Sequence, residues 1–298
     1  MRILIFGPSG QVGYELAANA GKLGKVITAG RSDADIIMDP LNKDSLDKLF
    51  TDIQPNIIIN AIAYTAVDKA ESDQEKAFLL NSDFPGALAD QCEKLDCLLI
   101  HYSTDFVFDG TKKEPWSEDD DTNPLSVYGS SKLAGEKAIE ISACSYFILR
   151  TSWVYGERGG NFLLTMLRLG RERDALSIVD DQIGSPTSSH DIAMATISLC
   201  EQYIENPEAV KAQKGIYHLT SSGSISWYGF AKSIFDSAAN HESLLLKDLS
   251  AISSSEYPTA ATRPAYSVLN CEKLARNFNI KMPNWKDSLE QCIQRLYN

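Results

Sequence analysis

The sequence lacks a long hydrophobic run and a paired-cysteine motif. No stretch of its 298 residues approaches the roughly 20 apolar residues that a membrane-spanning helix requires, and the first apolar segment is too short for a secretory signal. Its six cysteines are dispersed and include no CxxC pair, so zinc and redox motifs find no support. We expect a cytoplasmic protein whose thiols stay reduced.

Basic residues are few as well: 28 Lys and Arg stand against 40 Asp and Glu, for a formal net charge of −12. This charge repels phosphate backbones and anionic lipids, so nucleic acids and membrane surfaces are not expected partners. An anionic ligand must instead be bound locally, by backbone amides or by a few well-placed cations. The composition is otherwise globular, and the length suits one elaborated domain or two modest ones.

Apolar β-rich runs alternate with helical patterns over the first half of the chain. The predicted strands are Arg2–Phe6, Val26–Ala29, Asn56–Ala63, Cys97–Ser103 and Tyr146–Ser152. The predicted helices are Gln11–Gly21, Lys69–Lys94 with an interruption near Pro85, and Tyr128–Ile141. Strands that are apolar on both faces and separated by helices indicate an α/β fold, a doubly wound parallel sheet of the Rossmann type.

The alternation of apolar strands and helices becomes less regular after Gly156. The elements expected there are helices at Asn161–Arg171, Asp191–Glu205, Ser226–Ala239 and Lys286–Leu296, and short strands near Leu176–Val179 and Ile216–Leu219. We therefore predict a dinucleotide-binding domain over residues 1–156 and a smaller, mostly helical C-terminal substrate lobe over residues 157–298. The chain can cross between the two more than once.

Three glycines at a three-residue spacing directly follow the first predicted strand. Gly7 permits a tight turn, Gly10 lets backbone amides approach a pyrophosphate, and Gly13 allows close packing of helix and strand. The N–H groups at the start of the next helix are then free to bind the phosphates. The loop predicts a dinucleotide cofactor, and the alternative is a structural turn in a nucleotide-free domain.

The end of the second strand bears on the choice of cofactor. An acidic residue there favours NAD by binding the ribose 2′-hydroxyl, whereas an arginine favours the 2′-phosphate of NADP. Gly30 and Arg31 occupy this position and favour NADPH, while Asp33 and Asp35 follow closely and leave NADH open.

Two tyrosine–lysine pairs have a spacing that places both side chains on one face of a helix: Tyr128 with Lys132, and Tyr228 with Lys232. A nearby cation lowers the pKa of a tyrosine, so its phenol can exchange protons near neutral pH. The first pair follows a strand that leads into Thr104, at the sheet edge where ligands bind. We therefore predict that the first pair is catalytic and that the second belongs to packing and surface.

These motifs together resemble the extended short-chain dehydrogenase/reductase family, and within it the dTDP-4-dehydrorhamnose reductases, which complete dTDP-L-rhamnose for cell-surface polysaccharides. The matching segments span nearly the whole chain and are Gly7–Gly13, Ala63–Glu71, His101–Phe108, Val127–Lys137, Arg150–Tyr155, Asp181–Thr187 and Arg263–Pro264. The resemblance implies NADPH-dependent reduction of the C4 ketone of dTDP-4-dehydro-L-rhamnose, with hydride from the nicotinamide and a proton from Tyr128.

The resemblance also implies individual roles. Lys132 would bond the nicotinamide ribose and bias Tyr128, and Thr104 would bond the same substrate oxygen as Tyr128. The other implied cofactor contacts are Gly7, Gly10, Gln11, Val12 and Gly13 at the pyrophosphate, Asp39 at the adenosine end, and Ala61, Ala63 and Thr65 along the cofactor's path. The other implied substrate contacts are Asp105 and Trp153 at the sugar and Arg263 at its diphosphate.

Members of this reductase family can dimerise around a magnesium ion held by glutamates. Glu15 matches one ligand, but His190 and Arg295 stand at the other aligned positions, and an arginine cannot ligate a hard cation. We therefore predict no metal, and both a monomer and a homodimer stay open.

Three other functions are compatible with this fold. A dehydratase needs an acid–base pair after the threonine, and Phe106 beside Asp105 argues against it. A nucleotide-sugar 4-epimerase would hold NAD permanently. A non-catalytic regulatory subunit, such as the β subunit of methionine adenosyltransferase, could keep the glycines but would not need Thr104, Tyr128 and Lys132.

Overall fold

The computed structural model describes residues 1–298, which form one large sheet, three two-stranded sheets and twelve α-helices. The strands are β1 (Arg2–Phe6), β2 (Lys25–Gly30), β3 (Ile36–Ile37), β4 (Ile57–Asn60), β5 (Leu98–Thr104), β6 (Ser145–Thr151), β7 (Val154–Tyr155), β8 (Ala175–Val179), β9 (Ile183–Gly184), β10 (Thr187–Ser188), β11 (Gly215–His218), β12 (Ile225–Ser226) and β13 (Asp248–Ile252). The helices are α1 (Gln11–Asn19), α2 (Lys43–Ile53), α3 (Val67–Ala70), α4 (Gln74–Phe78), α5 (Phe84–Leu95), α6 (Val127–Glu140), α7 (Phe162–Glu172), α8 (Ser189–Glu205), α9 (Pro207–Lys211), α10 (Trp227–Ala238), α11 (Glu272–Phe278) and α12 (Trp285–Tyr297).

The large sheet has seven parallel strands in the order β11-β6-β5-β4-β1-β2-β3. All carboxyl ends therefore lie at one edge, and the strand order reverses between β1 and β4, where doubly wound sheets bind ligands. The predicted fold class is confirmed. The strand predicted near Ile216–Leu219 is β11, and it extends this sheet beside β6.

Both faces of the sheet are covered, which explains why its strands are continuously apolar. On β1, Ile3 and Ile5 belong to a core shared with α1 and α8, whereas Leu4 and Phe6 belong to a core shared with α2 and α5. All four side chains are fully buried. Successive side chains of a strand point to opposite faces, so one short segment supplies both hydrophobic layers.

A third core forms the smaller lobe. Helices α7, α10 and α12 pack around Tyr155 and Phe230, and β8 pairs with β13 at its side. The chain beyond residue 156 contributes to this lobe and also, through α8 and β11, to the layers around the large sheet. The division of binding roles at residue 156 stays a prediction.

The long helical region predicted over Lys69–Lys94 is divided differently from the expectation. It consists of α3, α4, a π-helical turn over Leu79–Asp83, and α5. Pro85 is the second residue of α5 and follows closely on the π-helical turn, so the α-helical hydrogen bonding is interrupted near Pro85 as predicted, whereas the additional break after α3 was not predicted. None of the helices combines the length and the hydropathy needed to cross a membrane.

Candidate active site

The glycine loop between β1 and α1 forms a cradle that side chains would fill. Gly7 has φ of +83°, and a Cβ atom on Gly13 would lie 2.0 Å from the carbonyl oxygen of Gly7. Gly10 precedes the first residue of α1, and no side chain caps the amides of that first turn. Those amides are therefore available to an anion, as a bound pyrophosphate requires.

The loop that follows β4 lies against the glycine loop. A Cβ atom on Gly7 would come within 3.1 Å of the carbonyl group of Ala61. Further along, the side chain of buried Asn81 holds both backbone groups of Tyr64, at 2.8 Å from its N–H and 3.1 Å from its carbonyl oxygen. This clamp fixes the segment that carries Ala63 and the exposed Thr65 at the carboxyl edge of the sheet.

Not all of the acidic residues after β2 are free to bind the ribose hydroxyl of a cofactor. The carboxylate of Asp35 accepts hydrogen bonds from the amide and the hydroxyl of Thr28, at 2.9 and 2.8 Å, and these bonds hold its pKa below the usual range. Asp39 is exposed and accepts a bond from the amide of Leu41. Arg31 is an exposed cation at the end of β2, in the position predicted for a 2′-phosphate.

Thr104 and Tyr128 meet where β5 ends. The Thr104 hydroxyl accepts from the amide of Phe106 at 3.2 Å and donates to Asp105 at 3.0 Å, and it lies near enough to the phenol of Tyr128 to lower the pKa of that group. Helix α6 approaches this turn closely because Gly129 has no side chain: a Cβ atom there would lie 2.3 Å from the carbonyl oxygen of Phe106.

Lys132 lies buried one helical turn beyond Tyr128. Its Nζ donates to the carbonyl oxygen of Tyr102 at 2.6 Å and lies 3.1 Å from Nε2 of His101. Burial lowers the pKa of Lys132 to about 8.

The sequence-based expectation of a lowered Tyr128 pKa is wrong for this arrangement. Burial raises the pKa of Tyr128 to about 12, the nearby Thr104 hydroxyl opposes that rise, and the carboxylate of Asp105 adds to it. The Nζ group of Lys132 lies against β5 instead, beside His101 and the carbonyl oxygen of Tyr102. At neutral pH the phenol is therefore protonated, which is the form that a proton donor needs.

A cavity of about 1020 Å³ lies in the smaller lobe, beside β8 and β13. Its walls include Phe162, Trp227 and the guanidinium-bearing Arg173 and Arg263. Neither Thr104 nor Tyr128 lines it, so the cavity is not built from the residues that meet at the end of β5.

Trp153 does not line this cavity itself, but its ring packs against a tryptophan that does. Its ring stacks on Trp227 with centroids 3.4 Å apart and planes at 4°, and Trp227 lines the cavity. Trp153 has φ of +48°, a strained conformation for a large side chain. Gly184 makes room for the indole, because a Cβ atom there would lie 2.4 Å from the ring.

Arg263 is already paired in this structure. Its guanidinium binds the carboxylate of Asp68 on α3 at 2.7 Å and 3.2 Å, and the Asp68 carboxylate also accepts from the amide of Ala261. These bonds tie the wall of the cavity to the loop that follows β4. A diphosphate contact by Arg263 stays a prediction.

The three residues considered for magnesium are engaged in other contacts. His190 Nδ1 lies 2.8 Å from the carboxylate of Glu15, and Arg295 Nε donates to Glu157 at 2.6 Å. No group of three or more His, Cys, Asp or Glu side chains is arranged to hold a metal ion. The second tyrosine–lysine pair lies on α10, where exposed Lys232 pairs with Asp236 at 2.7 Å.

The family model of the RmlD substrate binding domain matches residues 1–298, the entire chain. The chain belongs to this family. Among curated RmlD-like relatives, the dTDP-4-dehydrorhamnose reductase of Salmonella typhimurium is 40% identical over 298 residues, which cover 100% of this chain and 98% of that protein. The crystal structure of dTDP-4-dehydrorhamnose reductase from Bacillus anthracis in complex with NADP has a TM-score of 0.89 at 34% identity, with 99% of each chain covered.

Likeness of fold extends beyond the RmlD family. The Thermus thermophilus UDP-glucose 4-epimerase, solved with NAD, has a TM-score of 0.81 at 16% identity, with 99% of each chain covered. An identity this low shows the shared fold alone.

Sequence reasoning missed several polar residues of this RmlD family site. Asn81 lies in the π-helical turn and also donates to Ser131 of α6 at 3.0 Å, so it connects the loop after β4 to the catalytic helix. Asn60 ends β4 and His101 lies in the middle of β5; both are buried, and a polar residue within an apolar strand sequence was the available signal. Apart from the aromatic side chain itself, nothing in the sequence indicated that Trp227 lines a cavity.

Asp105 makes a testable contribution to stability. It is 1% exposed, one carboxylate oxygen has no partner, and burial raises its pKa to about 6, although bonds from Ser267 and Thr104 oppose the rise. The folded pKa exceeds the unfolded one, so this stabilising contribution is present at low pH and is lost as pH rises through 6. The variant Asp105→Asn should therefore be more stable than the wild type above pH 6, by up to about 2–3 kcal/mol.

Urea denaturation of both proteins across the pH range measures this difference, which should shrink towards zero in acid. Asp109→Asn is the matched control, because bonds from Thr111 lower the pKa of Asp109 and the sign is reversed. That control should lose stability at neutral pH. An Asp105→Asn variant whose relative stability does not depend on pH would contradict the assignment.

Proposed function

We propose that this protein is an NADPH-dependent reductase that converts dTDP-4-dehydro-L-rhamnose to dTDP-L-rhamnose. The relatives from Salmonella typhimurium and Bacillus anthracis carry that reductase name over nearly their full lengths, and the latter was solved with NADP. The observation that carries the proposal is the meeting of the Thr104 and Tyr128 hydroxyls at the sheet edge that also holds the glycine loop.

The residues present fit a bound NADPH. The uncapped amides after Gly10 and the open cradle between Gly7 and Gly13 suit its pyrophosphate. Arg31 would bind the 2′-phosphate, and Lys132 would bond the nicotinamide ribose. When bound, the cofactor supplies the hydride that C4 of the sugar receives.

Tyr128 and Thr104 would then act on the oxygen of the C4 ketone. The phenol of Tyr128 is protonated at neutral pH and gives its proton to the developing alkoxide. Thr104 has one hydroxyl proton, which it donates to Asp105 in the free protein, and this hydroxyl turns to the substrate oxygen on binding. The two donors stabilise charge where it develops.

The nucleotide end of the substrate suits the cavity in the smaller lobe. Aromatic Phe162 and Trp227 can pack against a base, and Arg173 and Arg263 bring cations to a diphosphate in a protein of strongly negative charge. In this arrangement residues 1–156 hold most of the cofactor, and the lobe within residues 157–298 holds the nucleotide. The sugar then lies beside the Trp153–Trp227 stack, between the cavity and Tyr128.

We place the enzyme in the cytoplasm, as a monomer or homodimer. All six cysteines are free, and five of them are buried, which fits a compartment that keeps thiols reduced.

The test is oxidation of NADPH by the purified protein with dTDP-4-dehydro-L-rhamnose, with the product identified by NMR. We expect cofactor oxidation that depends on the sugar nucleotide, with dTDP-L-rhamnose as product. A sample that carries stoichiometric NAD and interconverts C4 epimers would instead be an epimerase. A sample that binds NADPH but turns over no sugar nucleotide would support a regulatory subunit.

Arg31 should set the preference between the two nicotinamide cofactors. Replacing it with alanine removes a charged bond to the 2′-phosphate, which is worth about 1.5–3 kcal/mol, so kcat/KM for NADPH should fall about ten-fold or more. The value for NADH should change little, because NADH has no 2′-phosphate. Arg31→Lys keeps the charge and should keep most of the preference, and equal losses for both cofactors would contradict this role.

A further inference from the structure

A buried polar chain runs beneath the catalytic helix, through Asn60, His101 and Lys132. Asn60 ends β4 and pairs in register with His101 of β5, and all three side chains are at most 1% exposed. The imidazole lies between the other two groups, with Nδ1 at 3.0 Å from Nδ2 of Asn60 and Nε2 at 3.1 Å from Nζ of Lys132.

The backbone fixes the orientation of the Asn60 amide. The N–H of Ile62 donates to its Oδ1 at 3.0 Å, so the amino group is the part that faces His101. An amino group only donates, and Nδ1 of His101 must therefore accept. A neutral imidazole has one donor and one acceptor, so its proton resides on Nε2.

This tautomer directs an N–H group at Lys132. The Nζ of Lys132 donates to the carbonyl oxygen of Tyr102 and faces Nε2 of His101. An ammonium has no lone pair with which to accept, whereas a neutral amine has one. The hydrogen-bond pattern is therefore complete only when Lys132 is the neutral amine.

We propose that His101 is a positioning residue that donates to the amine of Lys132 and couples the protonation of Lys132 to its own tautomer. When Lys132 takes up a proton, its ammonium needs the lone pair of Nε2. The imidazole proton must then reside on Nδ1, and the Asn60 amide must turn to accept it, which breaks the bond from Ile62. Protonation of Lys132 thus costs one local hydrogen bond, and removal of the proton restores it.

The surrounding charges agree with this assignment. Burial and the nearby Lys132 hold the pKa of His101 well below its usual value, so a second proton on the imidazole is disfavoured. Glu136 of the same helix raises the pKa of Lys132 and opposes its burial, but Arg150 of β6 pairs with Glu136 at 2.7 Å. With a pKa of about 8, Lys132 is mostly the ammonium at neutral pH and mostly the amine about one to two units above its pKa, so the exchange of tautomers falls within an accessible pH range.

The tautomer can be measured in the cofactor-free protein by ¹⁵N NMR of labelled histidine. The chain has only four histidines, and His101→Gln identifies the signal of interest. Because the pKa of Lys132 is about 8, we expect an unprotonated Nδ1 and a protonated Nε2 in the wild type at about pH 9.5, where Lys132 is the amine, and the reverse tautomer at about pH 6.5, where it is the ammonium. A tautomer that stays the same across this pH range, or a proton on Nδ1 at about pH 9.5, would overturn the proposal, whether or not the protein reduces a sugar nucleotide.

The near-isosteric variant Asn60→Asp tests the coupling. A carboxylate still accepts from Ile62 but cannot donate to His101, so the imidazole proton should move to Nδ1 and present Nε2 to an ammonium. The Lys132 pKa, followed by ¹⁵N-lysine NMR, should then rise by about one unit or more. A tautomer that stays on Nε2 in this variant would refute the coupling.

The other three histidine signals serve as internal controls for folding. If they move or broaden, the variant has lost its fold, and the wild-type tautomer alone decides the proposal.

Discussion

Replacing Tyr128 with phenylalanine is expected to lower kcat for reduction of the sugar nucleotide by about 10²- to 10⁴-fold, because general acid catalysis contributes about that factor. In the proposed mechanism the phenol donates the proton, and phenylalanine keeps the ring while removing that proton. The ring also packs edge-on against Phe106, with centroids 5.6 Å apart, and phenylalanine can keep that contact. The fold and NADPH affinity should therefore persist, and single-turnover oxidation of NADPH measures the chemical step alone.

The matched control is Tyr228→Phe. Tyr228 begins the same tyrosine–lysine spacing on α10, but Lys232 pairs with Asp236 at the surface instead of lying beneath a reaction site. We expect its kcat to stay within a factor of about two of the wild type, as for surface substitutions. Equal losses in the two variants, or none in either, would show that the catalytic tyrosine lies elsewhere.

The central sheet could be predicted because its strands are apolar on both faces. Arg2–Phe6 was predicted to the residue, and the other long strands were placed within a few residues. Helix α2 was missed although Leu46, Leu49, Phe50 and Ile53 have helical spacing and are buried, so the signal was present in the sequence. The short strand β3 and the lobe strand β13 offer no such pattern, since tertiary pairing rather than local sequence forms them.

The site residues that could be predicted have both a suitable side-chain chemistry and a place at the end of a strand or the start of a helix. The glycines, Thr104 and Tyr128 each follow a strand or begin a helix, and the parallel sheet brings such positions to one edge. The protonation states were not predictable, because they depend on burial and on contacts between distant residues. Burial and the carboxylate of Asp105 raise the pKa of Tyr128, and Lys132 makes its bonds to β5.

The buried ion pair between Glu136 and Arg150 should carry the largest effect on stability. Two bonds of 2.9 and 2.7 Å join the carboxylate to the guanidinium, and the side chains are 1% and 3% exposed. Glu136 lies one turn after Lys132 on α6, so the ion pair links α6 to β6. Either Glu136→Leu or Arg150→Met leaves one charge buried and unpaired, and each should lower the free energy of unfolding by about 3–5 kcal/mol.

The double variant decides whether the loss comes from the unpaired charge. Removing both partners takes away the burial cost of both ions, so Glu136→Leu with Arg150→Met should recover most of the stability that either single variant loses. Urea denaturation of the four proteins gives the coupling energy directly. The exposed pair of Arg168 with Glu172 is the control, since breaking it should cost less than about 1 kcal/mol. Single-variant losses no larger than the control's would mean that water reaches the Glu136 pair in solution.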